Sequence, residues 1–292
     1  MNTDRFLYSA FGVKMPRIIY GTAWKKDRTA SLVEQAISTG FRGIDTACQP
    51  KHYDEAGVGQ GISHCIQAGI VQREELYLQT KFTPLNGHDP LKIPYDPKAS
   101  LSDQVKQSFQ CSLQNLQTSY LDCLVLHSPL ADQKQLLEVW RTMELLFHEG
   151  GVKQLGISNC YAYETLAFLY DSVEIKPAVL QNRFYADTQY DRNLRAFCQS
   201  SKIIYQSFWT LTANPGVLAH AALKALSEKY QRSSAQLFFR YLTQIGIIPL
   251  TGTTSEQHMR DDLAIFEFEL TDEECQQVDR LLLTTETEIA DH

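Results

Sequence analysis

Four side chains able to carry out proton chemistry stand at or just beyond the ends of strand-like segments in this chain. The run Phe41–Asp45 ends in an acid, Leu76–Lys81 ends in an amine and Leu121–His127 ends in an imidazole. Tyr53 follows the first run within a short loop. In a parallel α/β barrel the carboxyl ends of the strands converge on one face, and that face carries catalysis. The pattern therefore indicates an enzyme.

These four types of side chain could together protonate an oxygen atom. A phenol titrates near about pH 10, so Tyr53 is a weak acid at neutral pH unless a cation such as Lys81 stabilises the phenolate. Asp45 would hold and orient the lysine. His127 would direct a carbonyl oxygen toward the phenol. No nucleophile motif and no metal-ligand spacing accompanies them in the sequence, so no metal is expected and a bound hydride donor is the natural attacking group.

Each residue also has an ordinary structural interpretation. Asp45 could cap a turn, and Lys81 could pair with an acid on the surface. His127 could be a core histidine with satisfied hydrogen bonds, and Tyr53 could be a surface aromatic residue. The combination favours catalysis, because a lysine that follows largely apolar strand residues is unusual on a surface.

The composition is that of an ordinary soluble protein. The chain has 292 residues, of which 43% are hydrophobic, and a net charge of −7 with both signs interspersed. Without a basic cluster in the sequence, nucleic acid and anionic membranes are not expected partners. Seven widely spaced cysteines without a C-x-x-C pair favour reduced thiols in a cytoplasmic protein. The N-terminus does not have the pattern of a signal peptide, and no apolar run is long enough for a membrane span.

Short β-rich runs alternate with amphipathic helical stretches along the chain. Several strand candidates are almost continuously apolar, as strands buried on both faces should be. Strands that alternate with helices predict βαβ units, and eight such units predict a closed (β/α)8 TIM barrel as one domain over residues 1–292. The predicted strands are Ile18–Trp24, Phe41–Ala47, Leu76–Phe82, Leu121–Ser128, Val152–Asn159, Ala178–Phe184, Lys202–Trp209 and Gly246–Gly252.

Three segments lie outside this repeat. Arg5–Arg17, centred on Gly12, predicts an N-terminal β-hairpin that could plug the barrel floor. The long loop Thr83–Ser100 follows the third strand on the catalytic side. Leu270–Leu283 opens with the helix-start signature Thr271–Glu274 and predicts a C-terminal helix.

The motifs of the chain resemble those of the aldo-keto reductases, which are nicotinamide-dependent (β/α)8 barrels. The resemblance covers essentially the whole chain and includes GFRGIDTA, HYDEAGVGQG, YLQTKF, YLDCLVLHSP, VKQLGISN, LQNRF and IPLTGT. It implies reduction of aldehydes or ketones to alcohols by hydride from NADPH or NADH. It also implies a catalytic tetrad in which Tyr53 is the general acid and Lys81 lowers its pKa. Asp45 would pair with Lys81, and His127 would orient the substrate.

The same resemblance implies a set of binding residues. The nicotinamide carboxamide would contact Ser158 and Asn159, with Gln181 beside them. An aromatic substrate pocket would include Trp24 and Trp209 near the catalytic residues Tyr53 and His127. The other cofactor contacts implied are Thr22, Asp45, Gln206, Ser207, Phe208 and Trp209 at strand ends, Thr253, Thr254 and Ser255 at the adenosine 2′-phosphate or hydroxyl, and Asp262 at the adenine.

Three departures from the family pattern bear on these residues. Tyr53 comes three residues later after Asp45 than is usual in the family. Gln206 occupies the position at which the family commonly stacks a tyrosine on the nicotinamide. The run Gly252–Ser255 offers no lysine or arginine to a 2′-phosphate, so the preference for NADPH is expected to be weaker and use of NADH stays open.

Two other functions fit the same sequence. One is a catalytically weak reductase-like barrel that binds NAD(P)H as a redox-sensing or regulatory subunit. The other is a barrel hydrolase with paired carboxylates, for which only Asp45 stands in place. The short tail Thr284–His292 favours an open site, and the resemblance implies a monomer acting on a small-molecule carbonyl substrate.

Overall fold

Eight parallel strands close into a barrel, and two further strands form an antiparallel hairpin, in the computed structural model, which describes residues 5–290. Each barrel strand pairs with its neighbour in chain order and the last pairs with the first, so the sheet has no free edge. The hairpin strands are β1 (Phe6–Tyr8) and β2 (Lys14–Pro16), and the barrel strands are β3 (Ile19–Gly21), β4 (Gly43–Asp45), β5 (Tyr77–Phe82), β6 (Cys123–Leu126), β7 (Leu155–Ser158), β8 (Val179–Arg183), β9 (Ile204–Phe208) and β10 (Ile248–Thr251).

The strands are buried on both faces, which explains their apolar composition. Along β6, Cys123 and Val125 point into the barrel lumen, where they pack in one apolar cluster. The alternating residues Leu124 and Leu126 belong to the larger cluster between the barrel and its helices. This period of two decides which residues of every strand can reach the lumen and the barrel mouth.

Helices surround the barrel and cover it with their apolar faces. In α1 the buried residues Leu32, Val33, Ala36 and Ile37 recur at helical spacing. Polar side chains cap the starts of several helices, and at α9 the side chains of Ser233 and Gln236 form a capping box. The helices are α1 (Thr29–Thr39), α2 (Glu55–Gln67), α3 (Leu101–Leu116), α4 (Gln133–His148), α5 (Tyr163–Ser172), α6 (Arg192–Ser200), α7 (Pro215–Ala219), α8 (Ala221–Tyr230), α9 (Ser234–Gln244), α10 (Glu256–Leu263) and α11 (Asp272–Ala290).

The N-terminal hairpin lies against the amino-terminal end of the barrel. Its turn contains Gly12 at a φ of 74°, a conformation that glycine adopts without strain. Met15 of β2 is fully buried among lumen residues, and its sulfur lies 3.3 Å from Gln154 Nε2. The hairpin therefore closes the floor and leaves the opposite end of the barrel open.

The predicted barrel, hairpin and C-terminal helix are confirmed. Seven of the eight barrel strands end one to three residues earlier than predicted, and only β5 ends at the predicted residue. Beyond β3, β7 and β9, the residues Trp24, Asn159 and Trp209 have positive φ values of 63°, 52° and 56°, which extended backbone does not allow. The last helix runs to Ala290, further than the predicted Leu283. Among residues 5–290, no helix combines the length and the apolar character needed to cross a membrane.

Candidate active site

The acid and the amine at the ends of β4 and β5 form a buried ion pair. Lys81 Nζ lies 2.6 Å from Asp45 Oδ1 and 2.7 Å from Asp45 Oδ2, and it donates a further hydrogen bond to the main-chain oxygen of Thr46 at 2.9 Å. Lys81 is 1% exposed and Asp45 is 3% exposed, so solvent screens the pair very little. Burial lowers the pKa of Lys81, and the adjacent Asp45 carboxylate opposes that change.

Tyr53 lies next to this ion pair in spite of the insertion before it. The backbone N–H groups of His52 and Tyr53 both donate to the main-chain oxygen of Gln49, at 3.2 and 3.1 Å, and so close a turn that takes up the extra residues. Asp54 then caps α2 by accepting a hydrogen bond from Gly57 N at 2.9 Å. As a result, the centre of the Tyr53 ring lies 5.3 Å from the Lys81 ammonium nitrogen.

The pKa of Tyr53 is raised, whereas the resemblance implied that Lys81 lowers it. Burial raises the pKa of the Tyr53 phenol above its ordinary range, and the Asp45 carboxylate raises it further. The reason is that Asp45 holds the lysine charge at bonding distance, so the phenol faces a compensated pair and not a free cation. Tyr53 is therefore a phenol that keeps its proton well above neutral pH.

His127 faces the edge of the Tyr53 ring and is held by a hydroxyl group. The two ring centres are 6.1 Å apart at an angle of 69°. Burial, together with the Lys81 charge, lowers the pKa of His127 well below its usual value, so the imidazole is neutral. Its Nδ1 lies 2.7 Å from Thr83 Oγ1. When Thr83 donates to Nδ1, the ring proton sits on Nε2, which is the donor that a carbonyl oxygen requires.

The loop after β5 holds Thr83 in this position. The main-chain oxygen of Thr83 accepts hydrogen bonds from Tyr95 Oη at 2.7 Å and from His88 Nε2 at 2.9 Å. Gln49, from the turn before Tyr53, donates to the main-chain oxygen of Gly87 at 2.7 Å. The predicted loop Thr83–Ser100 is thus tied both to the histidine and to the segment that carries the tyrosine.

Three glutamines are hydrogen-bonded to one another beside Asp45 in the barrel lumen, and we call them the glutamine network (Gln79, Gln181 and Gln206). Gln79 Nε2 donates to Asp45 Oδ1 at 2.6 Å and to Gln206 Oε1 at 2.9 Å. Gln181 Nε2 donates to the same two oxygens at 3.0 and 2.9 Å. Gln206 Nε2 donates to Gln79 Oε1 at 3.0 Å. Asp45 therefore has a fixed orientation from three sides: the lysine and two amides.

The network also includes Gln206, whose predicted contact with the cofactor stays a prediction. Its side chain is fully buried, and both its amide oxygen and its amide nitrogen are used within the lumen. Residues two apart on a strand point to the same face, so Phe208 lies on the lumen side as well and nearer the mouth. Ser207 is also fully buried, and its hydroxyl accepts a hydrogen bond from Thr210 Oγ1 at 2.9 Å. Trp209 is 50% exposed at the rim.

The residues predicted at the carboxamide cluster at the ends of β7 and β8. Ser158 Oγ donates to the main-chain oxygen of Gln181 at 2.6 Å. Asn159 Nδ2 donates to the main-chain oxygen of His127 at 2.8 Å, and Asn159 is only partly buried. Asn159 consequently links His127 to the predicted cofactor side of the mouth.

The end of β3 carries one buried and one exposed residue. The fully buried Thr22 donates through its hydroxyl to the main-chain oxygen of Asp45 at 2.9 Å, so it positions the acid and offers no free surface to a cofactor. Trp24 is 57% exposed, and its ring lies 4.0 Å from the ring of His52. Trp24 and Trp209 are thus both available to a ligand at the barrel mouth.

The predicted adenosine end is formed by the loop after β10. Thr254 is exposed, whereas Thr253 and Ser255 are half-buried. Asp262 is only 4% exposed and accepts a hydrogen bond from Thr251 Oγ1 at 2.7 Å, and burial raises its pKa to about 7. Its carboxylate is therefore engaged beneath the loop.

A cation that the sequence interpretation missed lies at this loop. Lys25 Nζ donates to the main-chain oxygen of Gly252, although the two residues are 227 positions apart in the chain. Arg28 is near enough for its charge to contribute, after burial, to a lowered pKa of Lys25. A search for cations near the eighth strand in sequence cannot find either residue, because both come from the loop after the first barrel strand.

Two other residues of the site were also missed. Thr83 carried no sequence signal beyond its position two residues after Lys81. Gln79 lies two residues before Lys81, so strand alternation could have placed it on the same lumen-facing side. The same rule, applied to β9, would have indicated Phe208 as the aromatic residue at the mouth.

Known proteins resemble this chain over most of its length. A sequence profile described as the Aldo/keto reductase family matches residues 11–215 and 212–283. Aldo-keto reductase AKR2E4 of Bombyx mori is 32% identical over 270 residues, covering 87% of this chain and 82% of that protein. Glyoxal reductase of Bacillus subtilis is 29% identical over 273 residues, covering 92% of this chain and 90% of that protein.

Solved structures give the same result. The crystal structure of the Bombyx mori AKR2E4 reductase in complex with NADP has a TM-score of 0.79 and 28% identity, and the match covers 94% of this chain and 92% of that one. An aldo/keto reductase from Brucella melitensis has a TM-score of 0.80 at 25% identity, covering 94% and 98%. The profile spans nearly the whole barrel, and its match includes Asp45, Tyr53, Lys81 and His127. The chain therefore belongs to the aldo/keto reductase family of oxidoreductases.

Proposed function

We propose that the protein reduces aldehydes or ketones to alcohols with NADPH, and that Tyr53 supplies the proton. The observation that carries the proposal is the arrangement of three groups: the Tyr53 ring lies against the Asp45–Lys81 pair on one side and faces the neutral imidazole of His127 on another. A carbonyl oxygen placed between the phenol and the imidazole would meet two neutral donors.

The raised pKa of Tyr53 fits this role. When bound, NADPH supplies the hydride that adds to the carbonyl carbon. The oxygen then carries an alkoxide charge, which is a stronger base than a phenolate, and Tyr53 can protonate it even with a raised pKa. The Lys81 ammonium steadies the phenolate left behind, and Asp45 keeps that ammonium in place. Water or solvent returns the proton to Tyr53 before the next cycle.

Several residues at the mouth fit a nicotinamide dinucleotide. Phe208 presents a partly buried ring on the lumen side above the glutamine network, in a place where a flat nicotinamide could stack. Asn159 is partly exposed and has amide groups that match a carboxamide. Lys25 and Arg28 lie by the loop after β10 and would bind phosphate oxygens there. These two cations favour the binding of NADPH, whereas the sequence alone left the use of NADH open.

The substrate side of the mouth is aromatic. Trp24 is 57% exposed and Trp209 is 50% exposed, and they follow the ends of β3 and β9 at the barrel mouth. We infer a small carbonyl compound as the substrate. We also propose a cytoplasmic monomer. The location is supported by the seven cysteines, all free thiols among residues 5–290, and the monomeric state rests on family resemblance.

A paired cofactor titration followed by a substrate screen tests the proposal. The binding of NADPH and NADH would be measured by quenching of tryptophan fluorescence, and oxidation of NADPH would then be followed with small aldehydes, ketones and α-dicarbonyls. We expect tighter binding of NADPH and measurable turnover with several aldehydes. Tight cofactor binding without turnover on any carbonyl would contradict the proposal and favour the redox-sensing alternative.

A further inference from the structure

Arg183 stands at the mouth of the barrel next to the proposed cofactor and substrate sites. It is the last residue of β8, two positions after Gln181, so its side chain leaves the strand on the same side as that lumen residue. In the sheet it is directly opposite Phe208 of β9. Its backbone N–H donates to Tyr161 Oη at 3.1 Å, and Tyr161 Oη lies 3.4 Å from Asn159 Oδ1. Tyr161 therefore links the backbone of Arg183 to the side chain of Asn159.

The guanidinium group is fixed between two aromatic rings. Its central carbon lies 4.2 Å from the centre of the Trp209 ring and 5.1 Å from that of Tyr185. Stacking of this kind holds the planar group in one orientation and leaves its edge available for hydrogen bonds. Trp209 itself has the positive φ of 56°, a conformation that costs a bulky residue free energy and is frequent at functional sites.

No carboxylate among residues 5–290 pairs with this arginine. Its Nε atom is buried and has no hydrogen-bond partner within the described part of the chain. A partly desolvated cation without an anion is unfavourable, and proteins normally pair such groups. The buried Lys81 shows the contrast, because both oxygens of Asp45 satisfy its charge. An arginine that is stacked, fixed and unpaired matches a bidentate oxyanion.

We propose that Arg183 binds an oxyanion at the barrel mouth, either a carboxylate on the carbonyl substrate or the pyrophosphate of the cofactor. If the oxyanion is a substrate carboxylate, the proposal rests on the proposed reductase function. If it is the pyrophosphate, the proposal rests on cofactor binding alone. In the first case the enzyme prefers aldehydes or ketones that carry an acid group. In the second case Arg183 is a determinant of cofactor affinity.

Two variants and one control separate these cases. Arg183→Met keeps a long side chain against Trp209 but removes the charge, and Arg183→Lys keeps the charge but loses the planar fork. Arg141→Met removes an exposed arginine on the outer helix α4 and serves as the matched control. The substrates are para-carboxybenzaldehyde and its methyl ester, which differ only in the charge of the acid group. For each protein, kcat/KM for both aldehydes, the Kd of NADPH and the thermal midpoint are measured.

Loss of one charge-assisted contact predicts a decrease of about 10- to 100-fold. If Arg183 binds the substrate, Arg183→Met loses this factor in kcat/KM for the acid but not for the ester, and the Kd of NADPH stays unchanged. If it binds the cofactor, the Kd of NADPH rises by this factor and both aldehydes are affected equally. In either case Arg183→Lys retains part of the effect, and Arg141→Met has none.

The proposal is overturned if folded Arg183→Met matches the wild-type protein both in the Kd of NADPH and in the ratio of kcat/KM for the two aldehydes. That result leaves the reductase function intact, because the wild-type protein would still turn over both substrates. If the wild-type protein reduced neither aldehyde, the reductase function would be in question, and the NADPH titration alone would decide the role of Arg183.

Discussion

The ammonium of Lys81 contacts both carboxylate oxygens of Asp45, at 2.6 and 2.7 Å, inside a site almost closed to solvent. A cation held so closely by an anion exerts only a weak net field on its neighbours. Burial is the main cause of the raised pKa of Tyr53, and this relationship explains why Lys81, 5.3 Å from the centre of the Tyr53 ring, does not offset it. The pair is better placed to stabilise charge that forms on the phenol during the reaction than to ionise the phenol beforehand.

The raised pKa of Tyr53 predicts the pH dependence of the reaction. Because the folded enzyme keeps the phenol protonated, kcat for carbonyl reduction should stay level from about pH 6 to about pH 9 and should not fall in that range. His127 is already neutral there and adds no inflection. A pH profile of kcat measured at saturating NADPH checks this. A decline centred between about pH 7 and about pH 8.5 would instead show a lowered tyrosine pKa.

Removing one partner of the buried ion pair should destabilise the fold. Asp45→Asn leaves the Lys81 charge without a counter-charge, and Lys81→Met leaves the Asp45 charge without one. Each substitution should therefore lower the free energy of unfolding by about 3–5 kcal/mol. The double variant should lose clearly less than the sum, since no unpaired charge remains. Urea unfolding of the three variants measures this coupling, and additive losses would contradict it. Lys81→Met should also abolish turnover.

The Thr83 hydroxyl should control the tautomer of His127. Thr83→Val removes the group that lies 2.7 Å from His127 Nδ1 while keeping a side chain of the same shape. We expect kcat/KM for an aldehyde to decrease about tenfold, by about 1.4 kcal/mol, with the Kd of NADPH unchanged. Thr83→Ser restores a hydroxyl and should recover most of the rate. Equal activity of the valine and serine variants would show that the contact has no role in catalysis.

The glutamine network should stabilise the lumen only as a set. Gln79→Leu leaves the buried amide nitrogen of Gln206 without its partner, whereas Asp45 Oδ1 and Gln206 Oε1 keep their hydrogen bonds from Gln181. We expect a loss of about 1–3 kcal/mol in the free energy of unfolding. Gln79→Leu combined with Gln206→Leu removes the mutual bond from both sides and should recover part of this loss. Thermal or urea unfolding measures both. A double variant less stable than the sum of the two single variants would rule out this coupling.

The barrel, and the positions of most residues of the proposed catalytic site at its mouth, could be predicted from sequence because they depend on local patterns. Apolar runs buried on both faces mark strands, and a polar residue at the end of such a run lies at the mouth. Asp45, Lys81 and His127 all follow this rule, and the structure brings them together with Tyr53.

Other features of the site could not be predicted from sequence, because they depend on contacts between distant segments and on competing charges. Lys25 reaches the loop after β10 across 227 positions of chain. The hydrogen bonds of Gln206 depend on Gln79 and Gln181, which come from other strands. The sign of the pKa change at Tyr53 follows from burial and from Asp45, whose contribution no spacing in the sequence reveals.

The central claim is that the phenol of Tyr53 donates the proton, and a single-turnover measurement on Tyr53→Phe tests it most directly. NADPH oxidation would be followed with enzyme in excess and a saturating aldehyde, beside Tyr8→Phe, which removes the hydroxyl of an exposed tyrosine on the hairpin strand β1. We predict that Tyr53→Phe loses about a hundredfold or more in rate while its Kd for NADPH stays within about twofold of the wild-type value, and that Tyr8→Phe is unaffected. A Tyr53→Phe rate within about threefold of the wild-type rate would contradict the mechanism and assign the proton to another group.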